Sequence, residues 1–453
     1  MANGSSAARA IPRLFQIPEL KEKILFTLMC LAIYRLGSHI TTPGVNLRAL
    51  EQLAGQFQGT LFGIYDMFVG GGLQRATILA LGIMPYISAS ILFQLLAAVF
   101  PTIEKLQKHE GEEGRRKLTQ WTRYTAILLS IMQSYGYSIF LESQPGAVIA
   151  PGWGFRMSTV LMLTTGAVFI MWLGEQITER GVGNGMSLLI FFSIVQGFPG
   201  AVFSTLELFQ AGGISLFRLI ALVAVMIAII AAVVALTMAS RRIPVQIPRK
   251  VVGRGRIREG QRSFIPLRVN SAGVMPIIFA QSIIIVPGTL AAFTGNPGPG
   301  ATGVQGFLYD LSQIFQIGTP WYYLTYAILI VYFTYFYTSI IFNPVDLAEN
   351  LKRQGGFIPG VKPGVQTAEY IDRVLTRVTL PGSIYLALIA ILPFGIFELF
   401  DIQTFFFGGT SLLIVVGVAL DTVQQMQQHL LLRHYEGFMK KGRVKYRGRQ
   451  RHM

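Results

Sequence analysis

The chain has 453 residues, of which 52% are hydrophobic and only 13% charged, and it carries a net charge of +16. A soluble multidomain protein of this length needs far more charge to cover its surface, so the composition excludes one and places the chain in a bilayer. The single cysteine, Cys30, excludes an internal disulfide, and five scattered histidines (His39, His109, His429, His434, His452) lack metal-ligand spacing, so redox and metal chemistry are unsupported.

Apolar runs of about 18 residues or more read as spanning helices, because hydrocarbon offers no partner to backbone polar groups and each segment must satisfy its own. Residues 1–23 are polar and lack the apolar core and cleavage site of a secretory signal, so the first span is expected to remain as an anchor. Ten spans are expected: Ile24 to Ile40, Ala76 to Phe100, Trp121 to Leu141, Ser158 to Gly174, Gly185 to Phe203, Ile214 to Met238, Ala272 to Phe293, Trp321 to Phe342, Val378 to Phe397 and Thr410 to Leu432.

Between spans 1 and 2, "LFGIYDMFVGGGLQRATI" is a short helix-like stretch followed by Gly70, Gly71 and Gly72. Its residues alone favour a static re-entrant loop over a mobile element. Span 2 then contains "GIMPYISAS" (Gly82 to Ser90), and span 7 contains "GVMPIIFAQS" (Gly273 to Ser282), with Gly, Met, Pro, Ile and Ala matched at one offset. The match divides the chain into five spans plus five, residues 24–210 and 211–432. An odd number of spans inverts the second copy, and inverted repeats place a site between the halves at mid-membrane. Pro85 and Pro276 are each expected to remove a backbone bond inside a span, tolerable only where the freed carbonyl meets protein or water.

Charge placement orients the chain. All but five of the 38 Lys and Arg (Arg35, Arg48, Arg75, Arg156 and Arg218) fall on one side if both termini share it, which makes both termini cytoplasmic by the positive-inside rule. Two loops exceed what orientation needs. Residues 240–270 alternate β-branched residues with Arg and Lys and read as a projecting hairpin. Residues 343–378 combine a short helix, a Gly/Pro turn and an amphipathic helix. Both present cations to a large acidic partner such as ribosomal RNA or an acidic protein. The tail, 433–453, is a further basic run suited to lipid head groups or RNA. Ionisable residues within the spans are few: Arg35, Glu175 and Asp421 lie near span ends and read as interfacial, leaving a pathway lined by Ile, Leu, Met and Phe.

The motifs "GIMPYISASI", "ERGVGNGMSLLIF", "RRIPVQ", "FNPVDLAENLKRQGGFIPGVKPGVQTAEYIDRVLTR" and "FGGTSLLIVVGVALD", set in ten spans, resemble the SecY/Sec61-alpha family of protein-conducting channel subunits from about Phe15 to Tyr435. The resemblance implies an aliphatic pore ring at Ile83, Ile87, Met186, Ile190, Ile278 and Ile414, with Met186 where isoleucine is common. Such a ring sheds water when closed and yields around a passing chain. It also implies a plug at about 61–74, with Leu61, Phe62, Ile64, Tyr65, Met67, Phe68, Gly70, Gly71 and Gly72. It implies a lateral gate between spans 2 and 3 and spans 7 and 8, where Ser88, Gln133, Asn270 and Val286 lie and where polar bonds across the seam are expected. Contacts for a motor or ribosome fall on Arg241, Arg242, Arg254, Arg256, Lys352, Arg353 and Lys362. Lysine at 362 replaces the family's arginine and lacks its planar fork.

The expected protein is therefore an all-α polytopic membrane protein, ten transmembrane helices in two inverted five-helix halves around a central pore, in the bacterial cytoplasmic membrane. By resemblance it moves unfolded secretory polypeptides and releases membrane segments into lipid. Its implied partners are SecE and SecG, the SecA motor ATPase and the ribosome, with YidC and SecDF as further candidates. No cofactor and no catalysis are expected, and no GxxxxGK[ST] loop is present to bind a nucleotide. A secondary transporter would need a polar substrate cluster at depth, and an intramembrane enzyme a Ser/His or paired-Asp arrangement in facing spans. Neither pattern is found in the sequence.

Overall fold

The computed structural model describes residues 18–50, 52, 61–108, 111–246, 250–252, 256–258, 262–293, 303, 306–307, 310, 313–316, 318–400 and 409–441. Arg254 and most of the basic tail lie outside the described residues. The helices are α1 (Pro18–Gly37), α2 (Leu61–Val69), α3 (Met84–Val99), α4 (Pro101–Lys108), α5 (Gly111–Ser143), α6 (Trp153–Arg180), α7 (Gly185–Gln210), α8 (Leu216–Met238), α9 (Met275–Phe293), α10 (Pro320–Ile341), α11 (Pro344–Arg353), α12 (Val365–Phe400) and α13 (Gly409–Lys441). Strands β1 (Ser240–Gln246), β2 (Lys250–Val252), β3 (Arg256–Arg258) and β4 (Arg262–Arg268) fall between α8 and α9.

The expected spans are α1, α3, α5 to α10, α12 and α13. Among the described residues, α6, α7, α8, α10 and α12 are long and apolar enough to cross a bilayer by themselves, and α8 reaches a mean hydropathy of 3.3. Helices α3 and α9 are shorter apolar helices, while α1 and α5 carry charged first turns that lower their average. Outward faces are greasy at helical spacing: Tyr124, Leu128 and Met132 on α5 are 68%, 59% and 63% exposed, and Ile220, Val223 and Ile227 on α8 are similarly bare. Such stripes would be an aggregation hazard in water and are the ordinary surface in lipid.

Packing repeats with a shift of five spans. In the first half α3 packs on α5, α5 on α6, α6 on α7 and α1 on α6; in the second α9 packs on α10, α10 on α12, α12 on α13 and α8 on α12. The halves meet through equivalent partners, α3 with α9 and α7 with α13. Self-pairing of equivalent elements is the mark of a pseudo-twofold between two copies. The local geometry repeats as well, since Gly82 (φ 56°) and Gly273 (φ 64°) turn the chain in the left-handed region two residues before Met84 and Met275.

This corrects the expectation for the two prolines. Pro85 sits in the first turn of α3, with Ile83 as N-cap, and Pro276 is the second residue of α9. A proline there costs no helix bond, because the first N–H groups have no intrahelical acceptor, and its fixed φ favours helix initiation. The N-terminal part of the expected span 2 is turn structure, held by Ile78 N–H to Ile40 O (2.9 Å) and Thr42 N–H to Ala76 O (2.8 Å).

Glu175, expected to be interfacial, joins α6 to α5 through a two-pronged pair. Arg123 Nε and Nη2 each donate to one of its carboxylate oxygens at 2.8 Å. The carboxylate is only 15% exposed and the guanidinium 41%. Replacing Glu175 with Ala strands the arginine donors in this half-buried place, an expected loss of about 1–2 kcal/mol, the lower part of the range for charged hydrogen bonds because Arg123 keeps some solvent. A lower Tm in detergent checks it, with an unchanged Tm excluding the cross-brace.

The loops outside the bundle form one unit. β1 and β4 pair antiparallel from Ser240 opposite Arg268 to Gln246 opposite Arg262, and β2 pairs with β3, giving the expected hairpin. Its inner residues Ile243, Val245 and Leu267 pack on Ile358 and Ile371 of the second loop in a small separate core. Gln246 and Phe357 exchange both backbone bonds at 2.9 Å.

Candidate functional site

The six expected ring positions fall on four helices. Ile83 and Ile87 come from the start of α3, Met186 and Ile190 from α7, Ile278 from α9 and Ile414 from α13. All but Met186 are at most 6% exposed, and they belong to the central core of the bundle; Met186, half-buried, packs against it. Ile87, Met186, Ile190 and Ile278 line one cavity of about 230 Å³. Positions from both halves thus meet at this cavity.

Local chemistry fixes these positions. In "GVGNG", Asn184 caps α7, its side-chain oxygen accepting from Met186 N–H (3.1 Å) and Ser187 N–H (3.3 Å), while Thr178 Oγ1 accepts from Gly185 N–H (2.9 Å). Gly185 is pressed on α6: a side-chain carbon there would fall 2.0 Å from Gly174 O. Gly174 in turn leaves room for the Met186 sulfur, since a Cβ on it would lie 2.4 Å away. The start of α7 therefore has one seating, and the i, i+4 spacing aims Met186 and Ile190 along one face.

The plug residues are placed as a helix with a glycine turn. Phe62, Ile64, Tyr65 and Phe68 of α2 are buried, Met67 is half-buried, and α2 packs on α7 and α9. Leu61 begins the helix, though its side chain lies outside the described residues. Gly70 and Gly71 both adopt left-handed φ (75° and 78°). Polar tethers ring the segment. The Tyr34 hydroxyl donates to Val69 O (3.0 Å), Gln196 Nε2 to Gly70 O (2.8 Å), Tyr137 to Leu73 O and Tyr65 to Leu81 O (3.2 Å). Met67 Sδ accepts from Ser411 Oγ of α13 at 3.3 Å.

Sequence reasoning missed one polar residue of the expected plug segment. Asp66, 5% exposed, accepts Leu73 N–H (2.7 Å) and Gln74 N–H (3.0 Å) on Oδ1, and its backbone oxygen accepts Gly71 N–H (2.9 Å). A lone acid in an apolar stretch just before a glycine turn was the available clue, since such groups persist when backbone donors converge on them.

At the expected gate, α9 packs on both α3 and α5, so the seam is closed. The polar bonds expected across it are not there. Asn270 Nδ2 donates instead to Gly273 O in its own turn (3.0 Å), and among the described residues none of Ser88, Gln133 and Asn270 bonds across the seam. Val286 lies in α9 with its side chain outside the described residues. A second hollow of about 240 Å³ shares Tyr86, Ser90, Gln94 and Tyr337 with the ring cavity and reaches Leu118 and Thr122 of α5 and Ile341 of α10.

On the loop platform Arg241, Arg242, Lys352, Arg353 and Lys362 are exposed. Arg242 lies 4.9 Å over the Phe264 ring, and Arg353 pairs with Glu349 one turn back at 2.9 Å. Arg256 is in β3 with its side chain outside the described residues.

Two helical halves of like packing that meet around an aliphatic core, with a short helix seated against it, have the architecture of a membrane channel. The SecY family model matches residues 77–423. The protein translocase subunit SecY of Escherichia coli strain K12 is 45% identical over 434 residues, 95% of this chain and 96% of that one. That of Aquifex aeolicus is 43% identical over 433 residues, 94% and 98% of the two chains. A solved structure described as that of a protein conducting channel superposes with a TM-score of 0.66 at 18% identity, covering 96% and 99%. Canine Sec61 from a ribosome-channel complex gives 0.62 at 17%, covering 96% and 99%. The chain belongs to the SecY family, and it is a multi-pass channel subunit for protein translocation, not an enzyme.

Proposed function

We propose that the ring of Ile83, Ile87, Met186, Ile190, Ile278 and Ile414 is the constriction through which unfolded secretory polypeptides pass, and that α2 with its glycine turn is the plug that leaves when they do. The meeting of Ile87, Met186, Ile190 and Ile278 from both halves on one cavity, with Ile83 and Ile414 buried in the same core, carries the reading. An apolar ring excludes ions by dewetting, and it needs no specific chemistry to fit different polypeptides. Both termini face the cytoplasm of a bacterium, as the basic loops support.

The gate opens where α9 parts from α3 and α5. What supports this is that among the described residues none of Ser88, Gln133 and Asn270 bonds across the seam, and that two hollows share four lining residues, so that separation would merge them into one path from ring to lipid. Helices held mainly by packing part at low cost. The joint platform of the two basic loops supports docking of the ribosome or the SecA motor, with Arg241, Arg242, Lys352, Arg353 and Lys362 as contacts; SecE and SecG complete the complex, and YidC and SecDF are further partners. The driving energy comes from such partners.

A secretory chain stalled in transit with a photocrosslinker is expected to label Ile87, Ile190 and Ile278. Labelling confined to outward residues such as Leu128 or Ile227 would refute passage through the ring.

A further inference from the structure

The outer face carries a groove between α10 and α12 that none of the functions above uses. Its volume is about 650 Å³, inside the range of built small-molecule sites. Ala327 and Val331 of α10 and Ala387 and Ile391 of α12 line its floor, and Ile328 and Leu388, 59% and 52% exposed, stand as walls. Two alanines facing each other where neighbouring positions hold large side chains make the trough.

We propose that this groove binds one anionic phospholipid, an acyl chain lying in the trough and the phosphate meeting Arg377 and Arg373. The lining offers essentially no polar group, so its occupant there is hydrocarbon. A partner helix, about 10 Å across, docks on flush surfaces of small residues, and the raised walls here suit a thinner chain.

Charge selects the head group. Arg377 is seven residues before Ile384 of the groove, two turns or about 10 Å along the same face of α12, and Arg373 is one turn further. Both are exposed and have no ion pair among the described residues. Asp372 falls about 140° round the helix from Arg377, and Glu369 lies two turns beyond it, away from the groove. Tyr335 donates to Thr376 O at 3.3 Å, tying α10 to α12 at the level of the arginines. Long basic side chains at a span end reach phosphates while their stems remain on apolar surface.

The test is native mass spectrometry of the full chain in its purified complex, delipidated and titrated with phosphatidylglycerol or phosphatidylcholine. The wild type is expected to retain phosphatidylglycerol with one more tight site than Ala387→Trp, which fills the trough. The double variant R373Q/R377Q, altered only at exposed positions and so safe for folding, is expected to weaken phosphatidylglycerol at least tenfold and to leave phosphatidylcholine unchanged. Unchanged phosphatidylglycerol retention in the double variant, or equal weakening of both lipids, overturns the proposal. So does crosslinking of Leu388→Cys in native membranes to another protein in place of lipid.

Discussion

Replacing Ile414 with Asn is expected to open the closed channel to ions and to let chains with weak signal sequences pass. Ile414 is fully buried in α13, a helix that packs on α7 and α9. An amide buried there without partners costs about 1–3 kcal/mol in the closed state. In the open, hydrated state it costs nothing. At 1.4 kcal/mol per decade, the closed-to-open ratio falls by roughly 5- to 140-fold. Ile414→Val removes one methylene and keeps the ring apolar, so its effect stays near 0.5–1.5 kcal/mol and the pore remains dry. Conductance of the reconstituted complex in planar bilayers, with export of a reporter bearing a shortened signal, measures both. If Asn changes neither leak nor selectivity, the ring is not the seal.

Most of the membrane architecture could be read from the sequence because lipid imposes a one-dimensional rule: each span satisfies its own backbone and shows an apolar face, so composition along the chain suffices. The hairpin of β1 and β4 was legible for a similar reason, since Ile243 and Val245, and Ile265 and Leu267, recur at the strand period within stretches bounded by Arg. What escaped depended on contacts between residues far apart. The start of α3 at Met84 is decided by the ties from 40–42 to 76–78, which make the preceding apolar residues a turn. The Arg123–Glu175 brace joins residues 52 apart, and the core shared by Ile243 and Ile371 joins two loops separated by two spans. The ring positions were reached through family resemblance, because an isoleucine facing a pore and one facing lipid look the same in sequence. Asn270 illustrates the converse error: a polar residue beside a seam invites a crossing bond, and its own turn, three residues away, wins by proximity.

Asp66→Ala is expected to unseat the plug. The carboxylate holds the end of α2 to the turn after it through Leu73 and Gln74 N–H, in a place closed to water. Removing it leaves the buried Leu73 N–H unpaired at about 1–3 kcal/mol, and the part-buried Gln74 N–H at less, a penalty that disappears once the segment swings into water. Asp66→Asn retains an acceptor oxygen and is expected to stay close to the wild type. The readout is a disulfide between Met67→Cys and Ser411→Cys, positions in contact in the seated plug. Its yield should fall severalfold with Ala and little with Asn, and an unaltered yield with Ala shows that the carboxylate does not hold the plug. Ser411, which touches Met67, is three residues from Ile414 on α13, so the proposed plug and ring meet on one face of that helix. Sites in contact couple, and the double variant Asp66→Ala with Ile414→Asn is expected to leak less than the product of the two single effects, because a plug already displaced has no further seal to lose at the ring it covers.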